Sequence, residues 1–294
     1  MTGIIAVSGG EGFVGSELVR TLSAGGEVIS IGSGQSIKVT GNVLEIGFKH
    51  QSLPAVLGRA TTYVHAAGRI KGTRPELEAH NVRNISRYLK VLPKNLRHVI
   101  HLSSVNVFLH EKDEYGCTKM LGENLWRNSL FANRLTVLRP SLIYGPGDKK
   151  NIYRLIRLVQ RFPILPVPVA GRIRPVFLQD VVDLVIAIIQ QEPCMGKTYI
   201  VSGKEESDFQ EMVHIIANHL NKQVICFPIP EFFLSNICRM ADLVRLNNLA
   251  WRVRMFQMSK NWYDGDVWHY LPRENTPLEV GLGKCVESYL MDSQ

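Results

Sequence analysis

The stretch Ile4-Ile5-Ala6-Val7-Ser8-Gly9-Gly10-Glu11-Gly12-Phe13-Val14-Gly15 decides the fold, and it lies almost at the start of the sequence. Its first four residues are apolar and mostly β-branched, which predicts a buried parallel strand. After the glycines the apolar period changes, because Val14, Leu18 and Leu22 recur every four residues, as on one face of a helix. The pair Gly25-Gly26 ends that helix. Strand, glycine turn and helix in this order predict a dinucleotide-binding unit.

Each glycine of the triplet has a separate role in such a turn. Gly9 permits the tight turn, Gly12 lets a pyrophosphate approach the backbone, and Gly15 lets the helix pack against the strand. The free N–H groups at the start of the helix, at its positive dipole end, attract the phosphates. We therefore predict that this turn binds a dinucleotide cofactor.

The length and composition agree with one soluble enzyme. The chain has 294 residues, 45% hydrophobic and 20% charged, which is enough for a large core in one domain or two coupled domains. Its net charge is +8 but the basic residues are scattered, which favours small anionic ligands over nucleic acid. Five cysteines without CxxC spacing favour a reduced, cytoplasmic protein with no metal site. We find no signal peptide or transmembrane pattern, and expect no stable membrane insertion.

The end of the second predicted strand, Glu27–Ile31, bears on the choice of cofactor. An acid at this point would bond the adenosine ribose and repel a 2′-phosphate. The sequence has Gly32-Ser33-Gly34-Gln35-Ser36 instead, with no acid until Glu45, and the nearest cation is Lys38. We therefore expect a slight preference for NADP over NAD, with NAD left open.

The pattern of strands and helices continues along the chain. The sequence predicts a strand at Asn42–Ile46, a helix at Ser52–Leu57, a strand from Thr62 that ends in His65-Ala66-Ala67-Gly68, a helix at Glu76–Leu92 and a strand at His98–Leu102. The small residues 66–68 let a cofactor lie against the end of their strand. We expect His65 to be a buried structural histidine.

The chemistry is expected on the next helix, which opens at Tyr115 and runs to about Phe131. Tyr115 and Lys119 are four residues apart and share one face of that helix. A neighbouring ammonium favours the phenolate of a tyrosine, whose pKa is ordinarily about 10. A pKa near 7 would need roughly 4 kcal/mol, which Lys119 and an oxidised nicotinamide ring could supply together. A serine hydroxyl at the end of the preceding strand can bond the phenol and a substrate oxygen.

These motifs, in this order, resemble the extended short-chain dehydrogenases/reductases of the NAD-dependent epimerase/dehydratase group. The resemblance spans nearly the whole chain and is carried by residues 8–15, 65–68, Asn81, 103–104, Tyr115, Lys119, 139–147, 176–180, 197–203 and 277–282. It implies a Rossmann-type doubly wound parallel sheet in residues 1–144 and 175–201. It implies a smaller substrate-binding domain in residues 145–174 and 202–294.

The resemblance also implies roles for individual residues. The catalytic set is Ser104, Tyr115 and Lys119, and Ser104 is favoured over Ser103 because it lies four residues before Phe108 of the Val107-Phe108 pair. Only ten residues separate Ser104 from Tyr115, a shorter loop than is usual in the family, which cuts back the rim of the pocket. The implied cofactor contacts are Gly9, Gly12, Phe13, Val14, Gly15, Ser33, Glu45, Ile46, Ala66, Ala67, Gly68, Asn81, Tyr115, Lys119, Pro140 and Leu142.

The residues after Ser104 narrow the expected reaction. In the family, sugar 4,6-dehydratases have Thr-Asp-Glu at this point, and fucose-synthase-like enzymes have a cysteine where Val105 stands. This chain has Val105-Asn106, so neither of these two reactions is expected. A nucleotide-sugar 4-epimerase or a 4-keto reductase remains. Asn151 and Arg174 lie where the family holds the nucleotide diphosphate, and the surrounding stretch resembles enzymes of bacterial surface-glycan synthesis that act on UDP-N-acetylhexosamines.

Two rival functions stay open. One is a 3-hydroxysteroid-dehydrogenase-like enzyme, and the other is a cofactor-holding assembly or stability protein with little turnover, like the complex I accessory subunit of this superfamily. The basic and apolar segment Phe232–Phe256 is expected to form a lid over the substrate domain, with an anionic membrane surface as the alternative. Family members often dimerise through the helices that correspond to Glu76–Leu92 and Gly116–Phe131, so the sequence permits a homodimer.

Overall fold

The computed structural model describes residues 3–109, 113–149, 151–168, 171–191, 194–229, 233, 262–263, 265–271 and 273–292. The predicted lid segment Phe232–Phe256 lies outside these residues except for Phe233. The chain divides into two compact units that are discontinuous in sequence. The first unit is Met1–Pro140, Gln179–Val201 and Asp264–Glu274, and the second is Ser141–Leu178, Ser202–Tyr263 and Asn275–Gln294.

The described strands alternate with helices along most of the chain. The strands are β1 (Ile4–Ser8), β2 (Val28–Gly32), β3 (Ile37–Thr40), β4 (Val43–Gly47), β5 (Ala60–His65), β6 (His98–Leu102), β7 (Leu135–Pro140), β8 (Ile143–Tyr144), β9 (Ile164–Pro168), β10 (Val176–Phe177), β11 (Thr198–Val201) and β12 (Ile225–Ile229). The α-helices are α1 (Phe13–Ser23), α2 (Leu53–Leu57), α3 (Arg74–Glu78), α4 (Asn84–Val91), α5 (Glu114–Arg127), α6 (Ile152–Arg161), α7 (Leu178–Ile189), α8 (Phe209–His219) and α9 (Leu278–Asp292). None of these helices is both long and apolar enough to cross a membrane.

The first unit is built on an eight-stranded sheet in the order β11-β7-β6-β5-β1-β2-β4-β3. Every neighbouring pair is parallel except β3 and β4, which are antiparallel. The order reverses at β1, from which the chain proceeds to β2 on one side and later to β5 on the other, as in a Rossmann fold. The doubly wound α/β fold is therefore confirmed. Strand β3 was not predicted: it has only four residues, Ile37-Lys38-Val39-Thr40, and all four are exposed.

The predicted helix Glu76–Leu92 is interrupted. Helix α3 is followed by a π-helical turn at Ala79–Arg83, and only then by α4. The extra residue of such a turn changes the direction of the side chains that follow. Asn81 lies at the centre of this turn and is buried.

Each unit has its own apolar core. In the first unit the core contains the apolar faces of the central strands and the large side chains Tyr63, Trp126 and Phe131. In the second unit α6 buries Ile152, Leu155, Ile156 and Val159, the spacing of one helix face, against α8 and α9. Two short parallel pairs, β8 with β10 and β9 with β12, complete the second unit.

Candidate active site

The glycine turn has the backbone geometry that the sequence predicted. Gly9 has a φ of +76°, and an added Cβ would lie 2.7 Å from the Ala67 backbone. A Cβ on Gly15 would overlap the Gly9 carbonyl oxygen. Gly12 caps α1 without a side-chain cap, and no acid lies in the first turn of the helix. The first N–H groups of α1 therefore face a space that suits an anion, and the turn fits the pyrophosphate of a dinucleotide.

An acid does lie at the end of β2, contrary to the expectation from the sequence. The Ser33 N–H and hydroxyl donate to the Glu11 carboxylate at 3.3 and 3.1 Å. A Cβ on Gly32 would overlap the same carboxylate. Glu11 belongs to the glycine turn and not to β2, so the residues at the end of β2 do not reveal it. Its signal in the sequence is the position of Glu11 between the first two glycines of the triplet.

The short loop before α5 is closed by one acid. The Gly116 N–H donates to Asp113 Oδ1 at 2.6 Å, so Asp113 caps the helix. Asn106 Nδ2 donates to the other Asp113 oxygen at 3.3 Å. Gly116 lets the start of α5 approach the backbone of Asn106, because an added Cβ would lie 2.7 Å from the Asn106 carbonyl oxygen. These contacts hold the start of α5 against the 3₁₀ turn Val105–Phe108.

Ser104 and Tyr115 are brought together by this packing. Ser104 Oγ accepts a hydrogen bond from the Asn106 N–H at 3.2 Å, and the Ser104 side chain also bonds the Tyr115 phenol. Desolvation raises the pKa of Tyr115 to about 12, and the Ser104 bond opposes the shift only in part. The negative charge of Asp113 also raises this pKa. The phenol is therefore protonated in the chain by itself, and a pKa near 7 would have to arise with the cofactor bound.

Lys119 is buried at the centre of the site. Its Nζ donates to the Leu102 carbonyl oxygen at 2.5 Å. Burial lowers the pKa of Lys119 to about 8, and the Glu123 carboxylate opposes that shift. A Cβ on Gly68 would lie 3.6 Å from Lys119 Nζ and 3.5 Å from Asn81 Oδ1. The Lys119 ammonium and the Asn81 amide therefore both lie beside Gly68.

Asn81 connects the loop after β5 to two helices. Its Oδ1 accepts from the Arg69 N–H at 2.8 Å, and its Nδ2 donates to the Arg69 carbonyl oxygen at 2.9 Å. Nδ2 also donates to Thr118 Oγ1 at 3.0 Å, on the helix that carries Tyr115 and Lys119. The buried amide has its hydrogen bonds met on both sides, so it holds this loop and α5 in place.

The other predicted cofactor residues of the first unit differ in how exposed they are. The Ala66 N–H donates to the Ser8 carbonyl oxygen at 3.1 Å, which places residues 66–68 beside the glycine turn. Phe13 and Val14 are partly exposed in the first turn of α1, and Pro140 is buried at the end of β7. Glu45 is exposed, but the Ile46 side chain is buried in the core, so only the backbone of Ile46 is left for a cofactor.

The remaining predicted site residues belong to the second unit. The Leu142 carbonyl oxygen accepts from the Val176 N–H at 2.9 Å, and the Asn151 N–H donates to the Asp148 carboxylate at the start of α6. Arg174 is held by the second unit itself. Its guanidinium pairs with Glu206 at 3.2 Å, donates to the Lys204 carbonyl oxygen and lies 5.2 Å from the Tyr263 ring centroid.

His65 is a buried structural residue, as expected. Its Nδ1 lies 2.8 Å from Ser8 Oγ and 3.0 Å from the Tyr63 hydroxyl, and its ring stacks on His101 at 5.3 Å. Burial lowers the pKa of His65 to about 3, and the positive charge of Lys119 adds to the shift. The ring is therefore neutral at physiological pH.

A doubly wound sheet with a glycine turn after its first strand, and a serine, tyrosine and lysine gathered beside it, defines the extended short-chain dehydrogenase/reductase class. The sequence pattern of the NAD dependent epimerase/dehydratase family matches residues 5–201. The chain belongs to this family of NAD-dependent enzymes, which confirms the resemblance found in the sequence.

Named relatives include an epimerase and an NADH dehydrogenase subunit. The chain is 26% identical to UDP-glucose 4-epimerase of Vibrio cholerae, over 77% of this chain and 78% of that protein. It is 27% identical to NADH dehydrogenase [ubiquinone] 1 alpha subcomplex subunit 9, mitochondrial, of Dictyostelium discoideum, over 73% of this chain but only 64% of that protein. Among solved structures, UDP-glucuronic acid 4-epimerase from Bacillus cereus in complex with NAD has a TM-score of 0.77 at 17% identity, over 99% of this chain and 100% of that chain.

Proposed function

We propose that the chain is a nucleotide-sugar 4-epimerase or 4-keto reductase, with a UDP-N-acetylhexosamine as its substrate. The observation that carries this proposal is the Ser104–Tyr115 hydrogen bond, with Lys119 one helical turn further on and beside Gly68. Similarity to the Vibrio cholerae UDP-glucose 4-epimerase supports the substrate class. The first unit would bind the dinucleotide and the second unit the sugar nucleotide. A homodimer through the helices of residues 76–92 and 116–131, a cytoplasmic location and a part in polysaccharide biosynthesis stay predictions.

The proposed residues divide the proton chemistry among them. Oxidation of a sugar hydroxyl to a ketone removes a hydride and a proton, and reduction returns both. The nicotinamide supplies the hydride acceptor or donor when it is bound. Tyr115 takes the hydroxyl proton during oxidation and returns it during reduction, while Ser104 orients the sugar oxygen. Lys119, held by the Leu102 carbonyl oxygen, brings a positive charge that would favour the phenolate.

NAD is the proposed cofactor, in place of the slight NADP preference expected from the sequence. The Glu11 carboxylate at the end of β2 can accept a hydrogen bond from a ribose hydroxyl, and it would repel a 2′-phosphate. Lys38, on the edge strand β3, is exposed and is the nearest cation in the sequence.

Incubation of the chain with NAD and UDP-N-acetylglucosamine, followed by separation of the C4 epimers, tests the epimerase. The reductase is tested with the 4-keto nucleotide sugar and NADH, by the loss of NADH absorbance. Formation of either product supports the proposal. Absence of both products in a chain that binds NAD would contradict it.

Arg174 is proposed to bind the substrate diphosphate, together with Asn151. The Glu206 carboxylate already pairs with Arg174, so an incoming diphosphate would compete with it. Arg174→Ala should weaken UDP binding, less so in high salt, and Glu206→Gln should strengthen it. Arg172→Ala is the matched control, because Arg172 pairs with the same Glu206 at 2.9 Å. Equal UDP affinity in all of these variants would contradict the assignment and favour the steroid-like alternative.

A cofactor-holding subunit of a larger assembly is the second candidate. One observation favours it: the similarity to the NADH dehydrogenase subunit of Dictyostelium discoideum. Mass spectrometry of ligands released from the purified, denatured chain separates the two functions. A retained dinucleotide without turnover of any nucleotide sugar would favour the second candidate.

A further inference from the structure

The short sheet of the second unit presents an apolar face to solvent. Parallel pairing places Ile225 opposite Ile164 and Phe227 opposite Pro166, so these four side chains lie on one face. Ile164, Ile225 and Phe227 are 58%, 67% and 63% exposed. The intervening residues of β9, Leu165 and Val167, point the other way and are buried in the core.

The apolar face continues onto the end of α6. The Ile225 N–H donates to the Pro163 carbonyl oxygen at 2.9 Å, which places the sheet directly beside the end of that helix. Phe162 and Leu158, four residues apart, are also exposed. Five large apolar side chains exposed on adjoining elements are more than scattered exposed residues explain, and they indicate a binding surface.

Cations border this face on one side. The outer face of α6 carries the exposed residues Arg154, Arg157 and Arg161, and the Lys222 ammonium donates to the Gln160 carbonyl oxygen. No aspartate or glutamate occurs in residues 149–168 or 212–229. Within the described residues, none of these three arginines forms an ion pair. The acids of the adjacent helix α9, Glu287 and Asp292, do not pair with them either.

Other arginines of the second unit behave differently, since Arg172 and Arg174 are both paired with carboxylates. The guanidinium groups of α6 therefore remain available for an anion from outside the chain. The exposed apolar side chains of residues 158–164 and 225–227, together with Arg154, Arg157, Arg161 and Lys222, form what we term the basic-apolar patch.

We propose that the basic-apolar patch docks the protein on an anionic membrane surface. The apolar side chains would enter the boundary between headgroups and acyl chains, and the cations would meet lipid phosphates. Docking of this kind is peripheral and needs no spanning helix. A second copy of the chain fits less well, because in a two-fold interface the patch would meet itself and oppose its own positive charges.

The test is sedimentation of the full chain with vesicles. The probe is phosphatidylcholine with about 30% phosphatidylglycerol, compared with phosphatidylcholine alone. The parent should bind the anionic vesicles, and binding should fall about tenfold or more in high salt or without phosphatidylglycerol, because the attraction is screened or absent. Absence of binding to anionic vesicles would overturn the proposal.

Two variants locate the binding surface. Arg154→Gln/Arg157→Gln/Arg161→Gln should reduce binding roughly 100-fold, because each cation near an anionic surface contributes roughly 1 kcal/mol. The matched control Lys49→Gln/Lys94→Gln/Lys197→Gln removes the same charge from exposed positions of the first unit, outside the proposed dimer helices, and should bind as the parent does. Ile225→Ser/Phe227→Ser, at exposed positions, should weaken binding with the charge unchanged.

Other outcomes would overturn the proposal. Equal losses in both charge variants would assign the binding to net charge alone. A change of oligomeric state in Ile225→Ser/Phe227→Ser, without loss of vesicle binding, would make the patch a self-association surface. The vesicle assay measures no turnover, so it is independent of the proposed reaction.

Discussion

Two regions of this protein place positive charge in opposite surroundings. In the candidate active site the Lys119 ammonium is buried and donates to the Leu102 carbonyl oxygen, and burial lowers its pKa to about 8. In the basic-apolar patch the guanidinium groups of Arg154, Arg157 and Arg161 are exposed to water. Among the described residues they have no acidic partner.

The difference in burial indicates a different role for each positive charge. A buried ammonium with an internal acceptor has a fixed position and a shifted pKa, as general acid–base sites require. Exposed guanidinium groups without an acidic partner suit a large external anion.

Tyr115→Phe should have the largest effect, because it removes the proposed proton carrier and keeps the ring. We expect turnover of a UDP-N-acetylhexosamine to fall roughly 100- to 10,000-fold, with NAD binding retained. Tyr153→Phe, on a partly exposed tyrosine of α6, is the control and should be near the parent. Parental turnover in Tyr115→Phe would refute the mechanism while leaving the membrane proposal untouched.

Gly15→Ala tests the rigidity on which the buried site depends. The new Cβ would overlap the Gly9 carbonyl oxygen, so the turn must shift. We expect the free energy of unfolding to fall by about 1–3 kcal/mol and NAD affinity to fall with it. Gly26→Ala is the matched control, because no atom lies within 4 Å of its added Cβ. Denaturant unfolding and NAD titration measure both effects, and equal behaviour of the two variants would contradict the assignment.

The cost of burying Lys119 should appear in the pH dependence of stability. Its pKa is about 8 in the folded chain against an ordinary value of 10.5, so the unfolded chain binds more protons between these values. The parent should therefore gain about 2 kcal/mol of unfolding free energy between pH 8 and 10, and below pH 8 the full penalty remains.

Lys119→Met should lack this gain, since no group remains to titrate at that position. Arg157→Met, at an exposed position of the basic-apolar patch, should keep the parental pH dependence because it leaves Lys119 in place. Denaturant unfolding at pH 8 and pH 10 compares the three chains. The same gain in Lys119→Met would show that the ammonium is not the titrating group.

Glu11→Gln should have the smallest effect. Loss of the negative charge removes repulsion of a 2′-phosphate and weakens the ribose contact, so the ratio of NADP to NAD affinity should rise about tenfold. Titration of both cofactors measures the ratio. Glu17→Gln, on helix α1 where Glu17 pairs with Arg20, controls for the change of net charge. An unchanged ratio in Glu11→Gln would remove the basis for proposing NAD.

Patterns of residues close together in the sequence were sufficient to predict much of the local structure of the first unit. The glycine turn, the strand His98–Leu102 and the pairing of Tyr115 with Lys119 on one helix depend on residues close together in the chain, and the structure has all three. The family match confirms the class of enzyme that these motifs predicted. The roles of the individual site residues stay predictions.

Tertiary structure decided the features that join distant residues. Glu11 meets Ser33 across 22 positions of sequence, and Arg174 meets Glu206 across 32. The basic-apolar patch depends on the register that sets Ile225 beside Ile164. Periodicity reports which face of an element is apolar, because each residue and its near neighbours decide that. It carries no information on which remote charge or strand will lie alongside, since that depends on the packing of the whole unit.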